Sequence, residues 1–238
     1  MKVNLVCPMF ILDSKKNENI RKNDIKLLKI LTDKNNEIPK LEYTGGDLKE
    51  TIRDYLSNII GTKLFHLQQA FTLEYDNEIN IIYTAVTNIE NIKKKDENYN
   101  LVDFSIENND TIIFDNTSYK YKTKEKIENN NIEYFHEIKV EDKTIKNMLL
   151  EILICYKQIR NSIDNTDIMF KFLPKTFTLE DVRLVYELIK DTTVDKSNFR
   201  KKIIKYCEKT SEQTIEKTGF RPSEKYSFKP LEGDIWLW

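Results

Sequence analysis

The stretch TLEDVRLVYELIKDTTVDKSNFRKKIIK, residues 178 to 205, limits the fold of this chain more than any other. It opens on Thr178 with Asp181 three residues later, a capping-box pairing in which each side chain can satisfy the other's backbone N–H. Leu179, Val182, Val185, Tyr186 and Ile189 follow at helical spacing, so one face of this first helix is apolar. The short linker DTTV leads into DKSNFRKKIIKY, read as a second helix with Phe199, Ile203 and Cys207 inward and Lys196, Arg200, Lys201, Lys202 and Lys205 outward. KTSEQTIEKTGFRPSEKYSF then turns at Gly219 and Pro222, which gives a hairpin with an Arg-Pro tip. Helix, turn, basic helix and hairpin is the order of a winged helix-turn-helix.

The charge distribution agrees with that order. From Asp195 to Lys229 ten Lys or Arg face five acids, in a chain whose net charge is -1. A local cationic excess on one helix and one hairpin is the footprint of a phosphate-contacting surface. The near-neutral total excludes a generally basic coat.

Upstream, the pattern is that of an α/β domain. Residues 3 to 12 (VNLVCPMFIL) and 26 to 31 read as strands around a polar turn, and 63 to 75 and 79 to 87 as a strand pair. Three of the five glycines, Gly45, Gly46 and Gly61, bracket GGDLKETIRDYLSNIIG. This segment reads as a helix: Asp47 and Glu50 approximate a capping box, Leu48, Ile52, Leu56 and Ile59 form one face, and Gly61 supplies a left-handed cap. Residues 88 to 139 are charged and Asn-rich, with strand fragments at LVDFSI, TIIF and SYKYK. A second helix spans about 142 to 162 with Ile145, Leu149, Ile152 and Tyr156 on one face. The polar break IDNTD marks a boundary, giving domains at 1–164 and 165–238.

Cys7, Cys155 and Cys207 are odd in number, widely spaced and set in apolar runs, with no C-x-x-C spacing. They predict buried thiols in a reducing cytoplasm, without structural disulfides or a metal site. No run approaches the ~18 apolar residues of a membrane span. His66 and His136 have no nucleophile patterned near them. Glu74, Asp76 and Glu78 alternate on an expected hairpin tip, and are the carboxylates on which an enzyme reading, a hydrolase with a non-standard metal site, depends. Glu50 and Asp54 share a helix face beside Arg53 and read as a cap and a solvated charge.

Residues 173 to 203 carry four linked motifs: Leu173-Pro174, Phe177-Thr178-Leu179, Val185-Tyr186-Glu187 and Asn198-Phe199-Arg200-Lys201-Lys202. At this spacing they resemble the C-terminal winged helix of Nudix-related transcriptional regulators of the NrtR type. Phe220-Arg221-Pro222 and Tyr226-Ser227-Phe228 extend the likeness into the wing. The resemblance implies an α/β chain: an N-terminal Nudix-like α/β/α sandwich with a mixed sheet, then a C-terminal winged helix-turn-helix domain. It implies a cytoplasmic bacterial regulator, a homodimer on a palindromic double-stranded DNA operator, with an effector that is a nucleotide of ADP-ribose kind or a sugar. Contacts to DNA would come from Lys196, Ser197, Asn198, Arg200, Lys201, Lys202 and Arg221.

Laying the Nudix box on the glycine-bracketed helix, with its last glycine at Gly61, keeps only Leu56 and Gly61. Tyr55, Asn58 and Ile59 stand where metal-binding glutamates belong, Asp54 replaces the Arg, and Gly46 and Lys40 replace the leading Glu and Gly. A phenol, an amide and an alkyl group cannot hold Mg²⁺, so no catalytic residue, metal or cofactor is expected. The chain also departs from the family at Val140 to Thr144 and before it, so no ligand residue is assigned. A third reading, a winged helix that binds protein, differs from DNA binding by its insensitivity to salt.

Overall fold

The computed structural model describes residues 1–15, 25–75, 77–128, 131–213 and 223–229, and for 126–128, 131–135 and 213 the backbone alone. The first strand expected from the sequence is two, β1 (Lys2–Val6) and β2 (Met9–Lys15), broken at Cys7-Pro8. Pro8 has no N–H to give a neighbouring strand. Its carbonyl takes the Ala85 N–H at 3.1 Å, while the Cys7 N–H turns to Pro39 O at 2.9 Å. Both pieces run parallel to β6 (Glu78–Asn88), with Leu5 opposite Ile81 and Phe10 opposite Val86. β4 (Lys40–Glu42) joins the outer edge of β1, and β3 (Ile25–Asp33) the outer edge of β2, both antiparallel. β5 (His66–Tyr75) is the antiparallel partner of β6.

The Asn-rich middle is more regular than its composition suggests. β7 (Tyr99–Glu107), β8 (Thr111–Phe114), β9 (Thr117–Glu128) and β10 (Asn131–Ile138) meander antiparallel from β3, extending one mixed sheet of ten strands among the described residues. The three fragments read from the sequence lie in β7, β8 and β9. β10 falls in the strand-like stretch around His136, which the sequence does not delimit as a strand of its own.

Side-chain parity along β1 and β2 divides the core. Leu5, Cys7, Met9 and Ile11 face α1 (Leu48–Ile60), packing with Ile52, Leu56, Ile59 and Ile60. Val6, Phe10 and Leu12 face α2 (Lys143–Ser162), packing with Leu149, Ile152, Tyr156 and Ile159. Successive residues of a strand point to opposite faces, so one sheet separates two helical layers and the expected α/β/α sandwich forms.

The C-terminal part begins with α3 (Ile168–Lys171), a single turn absent from the sequence reading, and continues through α4 (Leu179–Lys190) and α5 (Lys196–Ile203). The second helix ends earlier than expected. A 3-10 turn covers Ile204–Tyr206, and Cys207 opens β11 (Cys207–Gln213) instead of closing a helix face. Pairing with β12 (Glu224–Phe228), which sets Cys207 opposite Phe228, and a 2.9 Å bond from Lys229 N to Tyr206 O draw the chain into the hairpin. Gly219, Arg221, Pro222 and the terminal Ile235-Trp236-Leu237-Trp238 lie outside the described residues, as does Asp76.

The α2-side core runs without interruption into this part, through Phe172, Val182, Val185, Ile189, Phe199 and Ile203. Polar contacts cross the same seam. Tyr156 Oη donates to Ile189 O at 2.8 Å, Asn88 Nδ2 to Phe172 O at 3.0 Å, and Lys26 Nζ pairs with Asp181 Oδ1 at 2.8 Å. Burial works to raise the Asp181 carboxyl, but Lys26 and the bonds to Thr178 outweigh it and hold it below its ordinary value.

Candidate nucleic-acid interface

The two helices that form the basic surface are fixed by polar contacts at each end. Thr178 Oγ1 accepts from Asp181 N at 3.1 Å and Asp181 Oδ2 from Thr178 N at 3.0 Å, the reciprocal capping box predicted. Asp191, at φ 51°, ends α4 in a left-handed cap. The turn that follows is held by Glu187, whose Oε1 takes both the Val194 N–H at 2.9 Å and Arg183 at 2.5 Å. Arg183 is in turn gripped by both oxygens of Glu180, at 2.7 and 3.1 Å. Asp195 caps α5 through Asn198 N at 2.8 Å.

These contacts give the four sequence motifs physical duties. Leu173 and Phe177 are buried, and Phe177 bridges Tyr226 of β12 through paired backbone bonds of 2.9 and 2.7 Å. The Tyr186 ring lies 5.4 Å from that of Phe199, and its hydroxyl donates to Asp164 at 2.9 Å. Tyr186 therefore joins α5 to the segment that follows α2. Glu187 was quoted in a motif, but its part in the turn was not read from the sequence.

Phe199 and Ile203 point inward, which leaves Lys196, Ser197, Asn198, Arg200, Lys201 and Lys202 exposed around the rest of α5. Among the ion pairs of the described residues, only Lys196 of these takes an acid, Glu180 at 3.3 Å. On the hairpin Lys209 pairs with Glu224 at 2.6 Å and Lys225 with Glu212 at 3.7 Å, so the wing strands carry much less uncompensated charge than α5. The seventh predicted contact, Arg221, lies outside the described residues.

The glycine-bracketed helix is built as the sequence predicts, with one difference. Asp47 accepts from Glu50 N at 2.8 Å, but the Glu50 carboxylate lies 3.7 Å from Arg53 instead of completing the box. Gly61 ends α1 at φ 69°, and a Cβ there would sit 2.9 Å from Lys94 N. Tyr55 Oη meets Tyr99 Oη at 2.7 Å and Lys40 O at 3.3 Å, Asn58 is exposed, and Ile59 is buried in the α1-side core. These three side chains do not suit a divalent cation. Among the described residues no three His, Cys, Asp or Glu side chains gather to hold one. Glu74 and Glu78 lie at opposite ends of the β5–β6 pair's tip, and Glu78 is engaged by Lys40 and Asn4 at 3.0 and 2.8 Å. His66 and His136 are on separate strands, bonded to Gln68 and Thr123. Two thiols, Cys7 and Cys155, are buried and free, and Cys207 is half-buried and free.

One acid escaped the sequence reading. Glu151 sits in the α2 pattern as an ordinary polar position, yet it is 3% exposed. It lines a cavity of about 340 Å³ with Lys40, Tyr75 and Glu78. Burial pushes its carboxyl up to about 7, although Tyr75 Oη donates to it at 2.5 Å and Lys40 also acts to lower it. Burial depth is a tertiary property and left no mark in the local sequence.

Comparison with known proteins places this geometry. Residues 169–228 match the sequence profile of the NrtR DNA-binding winged helix domain. Among curated proteins none matches the chain by sequence. Shewanella oneidensis NrtR complexed with a 27mer DNA superposes with a TM-score of 0.64 at 12% identity, over 95% of this chain and 93% of that one. A second crystal structure of Shewanella oneidensis NrtR gives 0.61 at 11% identity, over 100% and 98% of the two chains. A MutT/nudix family protein from Enterococcus faecalis gives 0.63 at 12% identity, over 96% and 88%. At such identities the structural matches establish the fold. No helix among the described residues is long and apolar enough to cross a membrane. Residues 169–228 thus match an NrtR DNA-binding winged helix domain, and the whole chain shares the fold of the NrtR and MutT/nudix structures, an α/β/α sandwich followed by that domain.

Proposed function

We propose that this chain is a DNA-binding transcriptional regulator whose Nudix-like domain, residues 1–164, senses a small molecule without hydrolysing it. The observation that carries the reading is the α5 face. Arg200, Lys201 and Lys202 are each exposed on a capped helix of an NrtR winged helix domain, with no acid paired to them among the described residues. Arg and Asn on such a helix can make paired hydrogen bonds to guanine and adenine edges, while lysines hold phosphates. We assign Lys196, Ser197, Asn198, Arg200, Lys201 and Lys202 to the DNA contact, and Arg221 to the wing. A homodimer on a palindromic operator, a cytoplasmic location and a nucleotide- or sugar-like effector follow from the same reading. The absence of hydrolysis rests on Tyr55, Asn58 and Ile59, none of which can be a magnesium ligand of the usual carboxylate kind.

The test is DNA selected from a random pool, followed by fluorescence anisotropy across a salt series. With about four phosphates neutralised per protomer, log K falls with log salt by roughly 0.9 for each. The double change Arg200→Ala and Lys201→Ala lowers affinity by about 100-fold, on the scale of ~1–3 kcal/mol for a good base contact plus one phosphate contact. Binding that ignores salt and survives the double change would sink the DNA reading in favour of a protein partner. Incubation with ADP-ribose and Mg²⁺ at high protein concentration is expected to release neither phosphate nor nucleotide. Turnover would restore the hydrolase.

A further inference from the structure

A second cavity, larger than the one at Glu151, opens beside the junction of the sandwich and the winged helix, with a volume of about 890 Å³. Three basic side chains line it: His136 of β10 and Lys157 and Arg160 of α2. No acidic residue is among its described lining. Lys157 Nζ reaches Thr123 Oγ1 at 3.3 Å and lies 5.1 Å from the centre of the Tyr121 ring. Arg160 spends its N–H groups on neutral acceptors, Asn109 Oδ1 and, at 2.7 Å, Lys190 O. His136 Nδ1 meets Thr123 Oγ1 at 3.0 Å.

Among the described residues the cluster is therefore positive, with no carboxylate in the lining. Burial, then the charge of Arg160, holds the Lys157 amine below its ordinary value, and burial, then Lys157, does the same to His136. Positive groups gathered with no carboxylate disfavour one another's charge, and an anion among them reverses that cost. Ala70 and Phe71 of β5, and Ile154 one turn before Lys157 on α2, add apolar lining. The Glu151 cavity has the reverse character, since Glu37, Glu78 and Glu151 all line it and would repel an anion.

We propose that this junction cavity binds a small phosphorylated molecule, its phosphate held by Lys157 and Arg160 and its apolar part laid against Phe71 and Ile154. The consequence for DNA rests on the sensing function proposed above. Arg160 grips Lys190 O at the end of α4, and Ser162, Asn165 and Thr166 of the connection line the same cavity. A phosphate that draws the Arg160 guanidinium away from Lys190 acts directly on the helix that carries α5.

The experiment uses the full chain at low ionic strength, with inorganic pyrophosphate and AMP as probes in isothermal titration. Saturable binding is expected, weakened at least tenfold by Lys157→Met. That change keeps the Arg160 bond to Lys190, and an unchanged thermal melt checks that the fold is intact. Arg200→Ala with Lys201→Ala is expected to leave the titration as it was. The site is overturned by no saturable binding of either probe, by binding indifferent to Lys157→Met, or by binding lost with the α5 pair. Weaker DNA binding by Lys157→Met with no probe bound would make the cavity a DNA phosphate contact and overturn the small ligand. A separate arm measures DNA affinity with saturating pyrophosphate. A change of severalfold supports coupling, while tight probe binding without one leaves the site standing and removes its role in sensing.

Discussion

Two short amphipathic helices of this molecule, α1 and α5, are built alike and used differently. Each starts at an aspartate, Asp47 or Asp195, that caps the third helical N–H at 2.8 Å. Each buries an apolar stripe, Ile52, Leu56, Ile59 and Ile60 in one, Phe199 and Ile203 in the other. On α1 two of the three positions aligned with metal ligands are spent on structure. Tyr55 binds Tyr99, which burial and that bond together keep firmly protonated, and Ile59 is core. On α5 Arg200, Lys201 and Lys202 make no ion pair among the described residues. An exposed cation can meet an anionic partner without giving up a contact made inside the fold.

The most severe way to break that contrast is to restore an acid on α1. Ile59→Glu places a carboxylate in the apolar layer between α1 and the sheet, 4% exposed in the native residue. Loss of about 4 kcal/mol or more is expected, from lost apolar burial together with an unpaired buried charge. Urea unfolding at pH 7.5 measures it, and a loss below about 1 kcal/mol would mean that α1 is not packed as described. Arg200→Ala with Lys201→Ala, by contrast, should leave the same unfolding curve within about 0.5 kcal/mol, as for other exposed positions.

The sandwich does keep a buried acid, but on α2. Glu151 is raised from 4.5 to about 7, so the native state holds a proton there that the unfolded chain has released. The stability linked to that proton is full below about pH 4.5 and is lost as pH rises through about 7. Glu151→Gln removes the dependence. At pH 8.5 the variant should be more stable than the wild type by about 3 kcal/mol, an order-of-magnitude figure from ~1.4 kcal/mol per pH unit between about 4.5 and 7. At pH 5 the two should nearly coincide. Equal stabilities at both values would show that Glu151 titrates normally.

Gly61 tests the end of α1. Alanine there must hold φ 69° and place its Cβ 2.9 Å from Lys94 N and 3.0 Å from Lys94 O, both backbone atoms. A cost of about 1–3 kcal/mol follows from the left-handed strain and the clash. Gly61→Asn tolerates the φ better but meets the same atoms, so it separates the two causes. If it matches wild type in thermal melting, the close approach contributes nothing.

How much of this could be read without coordinates depended on how local the cause was. The Thr178–Asp181 box, the Gly61 cap and the inward Phe199 are each set within a turn or two of chain, and all stand as read. The break at Pro8 was equally local, yet the strong apolar run around it hid the missing N–H. β10 was not delimited as a strand of its own because its partner β9 and the sheet beyond supply the order that its own sequence lacks. Glu151 and the trio His136, Lys157 and Arg160 lay further out of reach. Their depth and their shared cavity depend on α2 meeting strands far away in the sequence.

The smallest effect is the sharpest check on α1. Asn58 is aligned with one of the lost glutamates and is exposed. Asn58→Glu therefore adds an acid in solvent, one turn after Asp54, which is already paired to Lys63 at 2.8 Å. The stability change should stay within about 0.5 kcal/mol. A single carboxylate there leaves Tyr55 and Ile59 on either side of it, so no convergent set of oxygens is created. Titration of the variant with Mg²⁺ should give no saturable heat and no shift in melting temperature. If instead Asn58→Glu alone produced micromolar Mg²⁺ binding, unaltered neighbours would have to supply the remaining ligands. The helix would then be one substitution from a metal site, and its contrast with α5 would be of degree only.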